Sequence, residues 1–206
     1  MSKYLFILNP DTILKKNCES ELLKSINSKK SNFSIIAPIA KENNFGFFDK
    51  NRNINGKGFF EVDYVKGFAM VIDKKKIKKI GLFDENIFLY LEEIDLCKRL
   101  LSNNQKIYAN NYAKITHLGA KSSNLGFEYE KCRSWHWMWS KFYYNKKYKG
   151  YIFSFVKTFP TFTFSFLKYF FYQLSGNQKK KEIYKMRLLG LLNSYLLRKS
   201  FYRPQI

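Results

Sequence analysis

The sequence predicts an α/β fold of layered strands and helices, followed by C-terminal amphipathic helices. Three observations predict it. Short apolar runs of strand length alternate with stretches whose apolar residues recur at helical spacing, and Pro, Gly or Asn punctuates the joins. With 206 residues and 46% hydrophobic content the chain can bury a substantial core. From Trp135 onward the composition changes to long aromatic and basic stretches, so the domain expected over residues 1–144 gives way to a helical region over 145–206.

The elements follow in order. Residues 4–8 form a continuous apolar run cut off by Asn9-Pro10-Asp11, the pattern of a buried strand that needs a neighbour on each side. Residues 13–26 read as a one-faced helix, and 33–37 as a strand stopped by Pro38. Residues 43–58, rich in Asn, Gly and Lys, show no period and read as a loop. Residues 62–72 are extended with a break at Lys66-Gly67, where the missing Cβ lets the backbone come close to another group. A short basic helix over 74–80 closes at Gly81. Residues 92–103 form a helix with Leu96, Leu100 and Leu101 at apolar spacing and Asp95 placed to pair with Arg99 at i,i+4. Two short strands, 106–109 and 113–116, then lead to His117.

Residues 151–174 are apolar and aromatic but carry Lys157, Pro160 and Lys168. A helix there puts Lys157, Thr161, Ser165 and Lys168 on one face and Phe155, Phe159, Phe162, Phe166 and Phe170 on the other. The uninterrupted apolar length falls short of the ~20 residues of a membrane span, so the pattern is that of an interfacial helix. Residues 177–181 read as a basic linker before a last amphipathic helix over 182–201.

The net charge is +21, and it is uneven: residues 141–206 hold 14 Lys and Arg against the single acid Glu182. Lysines mixed with aromatics suit an anionic membrane surface bound in a peripheral arrangement. Nucleic acid is the rival partner by charge, but it gives the acidic residues no role. Cys18, Cys97 and Cys132 are widely spaced without a CxxC or Cys/His pairing, which points to a reducing compartment and away from zinc. The N-terminal apolar run is too short for a signal peptide.

Against this basic background, Asp84, Glu85, Glu92, Glu93 and Asp95 gather five carboxylates in a short segment. Glu92 and Glu93 open a helix, where the amide dipoles stabilise an anion and can fix an ionised carboxylate as a general base. An acidic first turn with a structural Asp95–Arg99 pair is the plainer alternative. Asp11 ends a strand, the edge where α/β sheets place ligands, and can either bind a divalent cation or simply cap a turn. His117 ends another strand ahead of Leu118-Gly119 and Ser122-Ser123, suited to a Mn²⁺ site or to a surface hydrogen bond. His136, between Trp135 and Trp137, reads as packing.

In one order the chain presents Leu8-Asn9-Pro10-Asp11, Val65-Lys66-Gly67-Phe68-Ala69-Met70, Gly81-Leu82-Phe83-Asp84-Glu85, the run from Phe88 to Arg99, and His117-Leu118-Gly119 with Ser122-Ser123. This series resembles family 2 glycosyltransferases, and within them the rhamnosyltransferase-like enzymes of bacterial cell-surface polysaccharide assembly. The resemblance covers residues 4–144. It implies a partial GT-A fold and the transfer, with inversion, of a sugar such as rhamnose from a nucleotide-sugar donor to a glycan or lipid-linked acceptor. By the same resemblance Asp11 and His117 would hold a divalent metal, Mg or Mn, on the diphosphate. Glu93, with Glu92 beside it, would deprotonate the acceptor hydroxyl, and Asn9, Gly67, Asp84 and Glu85 would line the substrate site. Two departures stand out: Asn9 replaces an acid common in relatives, and Glu93 is one methylene longer than the usual Asp.

Such enzymes open with a nucleotide-binding half ahead of the Asn-Pro-Asp strand. The chain is therefore expected to be a C-terminal portion that works with a separate nucleotide-binding half. The alternative is a catalytically inactive membrane-associated remnant or partner subunit.

Overall fold

The computed structural model describes residues 2–28, 32–40, 58–118 and 126–204. The expected loop over 43–58, all but Gly58, and Gly119, Ser122 and Ser123, lie outside them. The chain is a mixed α/β protein that divides into two compact units, Met1–Asp84 with Glu92–Ser123, and Glu85–Leu91 with Asn124–Ile206.

The first unit holds strands β1 (Tyr4–Leu8), β2 (Thr12–Leu14), β3 (Phe33–Ala40), β4 (Phe59–Glu61), β5 (Ala69–Asp73) and β6 (Lys106–His117). Its helices are α1 (Cys18–Asn27), α2 (Lys74–Ile80) and α3 (Glu92–Ser102). The strands form one mixed sheet in the order β1-β5-β3-β6-β2, with β4 paired to β6. β3 and β6 run parallel, and the other pairings are antiparallel.

Strand alternation sorts the core onto the two faces of this sheet. Ile35, Met70, Ile72, Ile107 and Ala109 pack with Ile77 of α2 and Leu96 and Leu100 of α3. Ile36, Val71 and Ile115 pack with Cys18 and Leu22 of α1 on the other face. α3 buries Glu93, Leu96, Cys97 and Leu100, the i, i+3, i+4, i+7 stripe of a one-faced helix. α2 starts where the Asp73 carboxylate accepts from the amides of Lys75 and Lys76, and it stops at Gly81, whose φ of 94° suits a residue without Cβ.

Several expectations are corrected. β1 is an edge strand, paired with β5 alone among the described residues, and Leu5 and Leu8 are 48% and 41% exposed. Ile13 and Leu14 belong to β2, and the helix begins only at Cys18. β3 continues through Pro38 because β5 pairs it only at Ile35 and Ile36, so the missing amide of Pro38 breaks no ladder on that side. The extended stretch begins earlier than read, as β4; the Val62 amide still donates to Ile107 O at 2.9 Å, and residues 63–68 leave the ladder before β5.

β6 is one strand, not two. Its register with β3 jumps between Pro38↔Asn110 and Ile39↔Lys114, and buried Asn110 stabilises the bulge. Asn110 Oδ1 accepts from the amides of Tyr112 and Ala113 at 2.7 and 3.3 Å, while its Nδ2 donates to Ser25 Oγ at 2.7 Å and Glu21 O at 3.1 Å.

The second unit is helical: α4 (Gly126–Lys149), α5 (Tyr151–Leu174) and α6 (Gln178–Tyr195), with the segment 85–91. α4 runs unbroken through residues 144 and 145, the boundary expected from composition. Gly150, at φ 80°, separates it from α5. The lysines of the expected linker form the first turn of α6, because the Asn177 side chain accepts from Lys180 N at 3.1 Å and caps it. α6 ends at Tyr195, short of the expected Phe201, and the tail lies along α4, where Trp139 Nε1 donates to Arg198 O at 2.9 Å.

His136 is fully buried in this unit, as packing: its Nε2 donates to Tyr202 O at 2.7 Å, which leaves Nδ1 to accept from Ser200 Oγ at 3.1 Å. Burial pushes its pKa down, in keeping with a neutral ring. At Gly190 of α6 a Cβ would lie 2.3 Å from Trp135 O, so α6 crosses α4 at a distance only glycine permits.

Candidate active site

The register of the sheet brings the first pair of site residues together. β2 runs antiparallel to β6 with Thr12 opposite His117, so Asp11 lies beside the imidazole, and Leu118 N closes the pairing on Asp11 O at 2.9 Å. His117 Nε2 stands 3.3 Å from Asp11 Oδ1. That contact is not aligned as a hydrogen bond, and the buried Oδ1 finds no hydrogen-bond partner among the described residues. A carboxylate oxygen is thus held out of water beside a ring nitrogen, a donor pair suited to a divalent cation.

Residues 66–68 connect this pair to the acids. Phe68 O accepts from Asn9 N at 2.8 Å, and the Phe68 ring stacks on His117 with centroids 4.5 Å apart. One residue earlier, a Cβ built on Gly67 would meet Glu93 Cβ at 3.5 Å, an ordinary van der Waals contact, so Glu93 is the neighbour of this residue but the expected approach that only a glycine permits is not found. One residue earlier again, Lys66 Nζ lies 3.9 Å from Glu93 Oε1. Consecutive Cα atoms are about 3.8 Å apart, so both pairs border one three-residue segment.

Glu92 and Glu93 open α3 directly after Tyr90 and Leu91, whose φ angles of 69° and 70° are uncommon for residues with side chains. Glu93 is 8% exposed. Burial raises its pKa, while the first-turn amides of Glu93 and Ile94 and the Lys66 ammonium pull the other way. The Glu92 carboxyl is pushed up to about 7, first by burial and then by the neighbouring Glu93 charge. Its Oε2 is buried with no hydrogen-bond partner among the described residues. Both carboxyls are thus raised, and that of Glu92, at about 7, can take up a proton near neutral pH.

The remaining predicted residues are placed less centrally. Asp95 is fully buried and receives Arg99 Nε at 2.8 Å; the same guanidinium donates to the carbonyls of Ile80, Gly81 and Leu82 and so ties the end of α2 to α3. This is a structural pair. Asn9 and Glu85 are exposed, and Asp84 is half-buried where the first unit's chain ends. Sequence reasoning missed Lys66 as the cation facing Glu93 and Phe68 as the platform under His117. The tripeptide was noted only for its glycine, and no local period marks its neighbours.

The three cysteines are buried and free, and burial pushes the Cys18 thiol up to about 11 and Cys97 to about 12, which disfavours thiolate chemistry. Among the described residues no three His, Cys, Asp or Glu side chains gather as a metal cluster. No family model matches the chain. No curated protein matches it either.

Proposed function

We propose that the chain carries the acceptor-activating and metal-holding part of an inverting, family 2-type glycosyltransferase with a partial GT-A fold. The observation that supports this most is the arrangement around residues 66–68: the buried Glu93 carboxylate facing Lys66 on one side and, on the other, the Asp11–His117 pair, whose buried Asp11 Oδ1 has no hydrogen-bond partner among the described residues. In this reading Glu93 takes the proton from an acceptor hydroxyl. Lys66 offsets part of the burial that would otherwise keep Glu93 protonated, and Glu92 stands beside it in the first turn. Asp11 and His117 would hold a divalent cation, Mn²⁺ better than Mg²⁺ given the imidazole. With two protein donors, oxygens of the donor's diphosphate would complete the shell, and the ion would stabilise the leaving group's charge.

The edge of β1 left unpaired among the described residues is where a nucleotide-binding half would add a strand, and the exposed Leu5 and Leu8 would be covered there. The sugar, whether rhamnose or another, and the glycan or lipid-linked acceptor follow from the resemblance in sequence alone.

The test is transfer from a panel of nucleoside-diphosphate sugars, with the chain alone and with a nucleotide-binding half supplied as a second polypeptide. Glu93→Gln should lower the rate by about 10²–10⁴-fold while circular dichroism stays unchanged. Retained transfer in that variant would remove Glu93 as the base.

A further inference from the structure

We propose that the outer face of α5 is a docking surface for an anionic lipid bilayer, against which the helix lies parallel to the membrane plane. This inference does not depend on sugar transfer. It rests on an inversion of the helix. The side that faces its neighbours within the second unit is small and hydroxylated: Ser154, Thr158 and Ser165 are fully buried. Ser154 Oγ donates to Gly150 O at 2.7 Å, and Thr158 Oγ1 donates to Ser154 O at 2.7 Å and lies 3.0 Å from Tyr195 OH. Phe155 and Phe162 fill the seam around Phe142 and Leu191.

The large apolar side chains face outward instead. Ile152, Val156, Phe159, Leu167, Phe170 and Leu174 are exposed, Ile152 and Leu174 by 80% and 88%. Their spacing keeps them on one side of a helix, and 22 residues at 1.5 Å extend that stripe over roughly 33 Å. The five phenylalanines expected on a single face are therefore split: Phe155 and Phe162 pack inward, while Phe159, Phe166 and Phe170 remain exposed. A contiguous apolar face of this extent marks an interaction site.

Charge identifies the occupant. Lysines flank the face and set their ammonium groups over rings beside it: Lys149 Nζ is 4.7 Å from the Phe153 centroid, and Lys168 Nζ is 5.5 Å from that of Phe171. Ammonium groups at the rim of an aromatic face match the boundary between headgroups and acyl chains. A second copy would bring the same 14 cations and single acid against them, which disfavours self-association. Anionic headgroups attract each lysine by about 1 kcal/mol near the surface, and the acyl region accepts the phenylalanines. Lys157 and Lys168 interrupt the apolar run of α5, and among the described residues no helix is long and apolar enough to cross a membrane, which fits a helix docked along the bilayer surface.

The experiment is co-sedimentation of the full chain with phosphatidylcholine vesicles and with mixed phosphatidylcholine–phosphatidylglycerol vesicles. Binding to the mixed vesicles that weakens with salt is expected, with about a tenfold loss in Val156→Asp/Leu167→Asp. The milder Leu167→Ser/Leu174→Ser variant, at exposed positions, should weaken binding with unchanged circular dichroism. No binding overturns the proposal, as does binding that neither variant affects. A concentration-dependent dimer broken by Leu167→Ser, without vesicle binding, overturns it in favour of a second copy. Glu93→Gln should bind vesicles as the unaltered chain does, which separates this inference from the catalytic one.

Discussion

Replacing Glu92 by Gln should stabilise the protein above neutral pH. The Glu92 carboxyl is raised from 4.5 to about 7 by burial and by Glu93. A rise of that size corresponds to about 3 kcal/mol between the two protonation states. The sign follows from proton binding. Below the unfolded value near 4.5 both folded and unfolded chains hold the proton, and the group costs nothing. Between that value and 7 the folded chain binds more protons, so stability falls as pH rises, and above 7 the full penalty applies. Gln keeps the shape and removes the charge, but its amide must also be accommodated where Oε2 has no hydrogen-bond partner among the described residues. The expected gain is therefore about 1–3 kcal/mol at pH 8 and close to zero at pH 4.5. Urea unfolding of both proteins at the two pH values, followed by circular dichroism, measures it. A variant no more stable than the parent at pH 8 would show that Glu92 is not held in the buried, charge-crowded setting described.

Three further outcomes are expected. Gly190→Ala should cost more than 2 kcal/mol and expose the tryptophans, because its methyl would lie 2.3 Å from Trp135 O; thermal unfolding monitored by tryptophan fluorescence reads this. Arg99→Ala should cost about 3 kcal/mol in chemical denaturation, because it takes the guanidinium from fully buried Asp95 and from the carbonyls that close α2. Asp11→Asn should weaken Mn²⁺ binding in calorimetry by about tenfold or more, and an unchanged affinity would place the cation elsewhere.

Local signals were legible where the structure is local. Gly81 marks the end of α2 as read, and the apolar stripe of α3 appears as its spacing requires. Thr12–Leu14 could not be read as a strand, since three residues carry no period and only the distant β6 makes them one. Asn110 looked like a break between two strands, yet its side chain replaces the ladder bonds that the bulge interrupts. The lysines at the start of α6 oppose a helix dipole, and packing against α4 together with the Asn177 cap outweighs them. In the site, Glu92, Glu93, Asp11 and His117 stood out as chemical types, while the role of Lys66 depends on a fold-level approach across Gly67.

The edge position of β1 also bears on handling the protein. Backbone groups of β1 that have no partner strand among the described residues, flanked by exposed Leu5 and Leu8, form a template on which a second chain can add a strand, the first step toward aggregation. The net charge of +21 opposes that step by keeping copies apart. Added salt shortens the reach of this repulsion to about 10 Å at 0.1 M and leaves the hydrogen-bonding edge untouched. Concentrated stocks should thus remain clear at low ionic strength and turn turbid as salt rises, the reverse of ordinary salting-in.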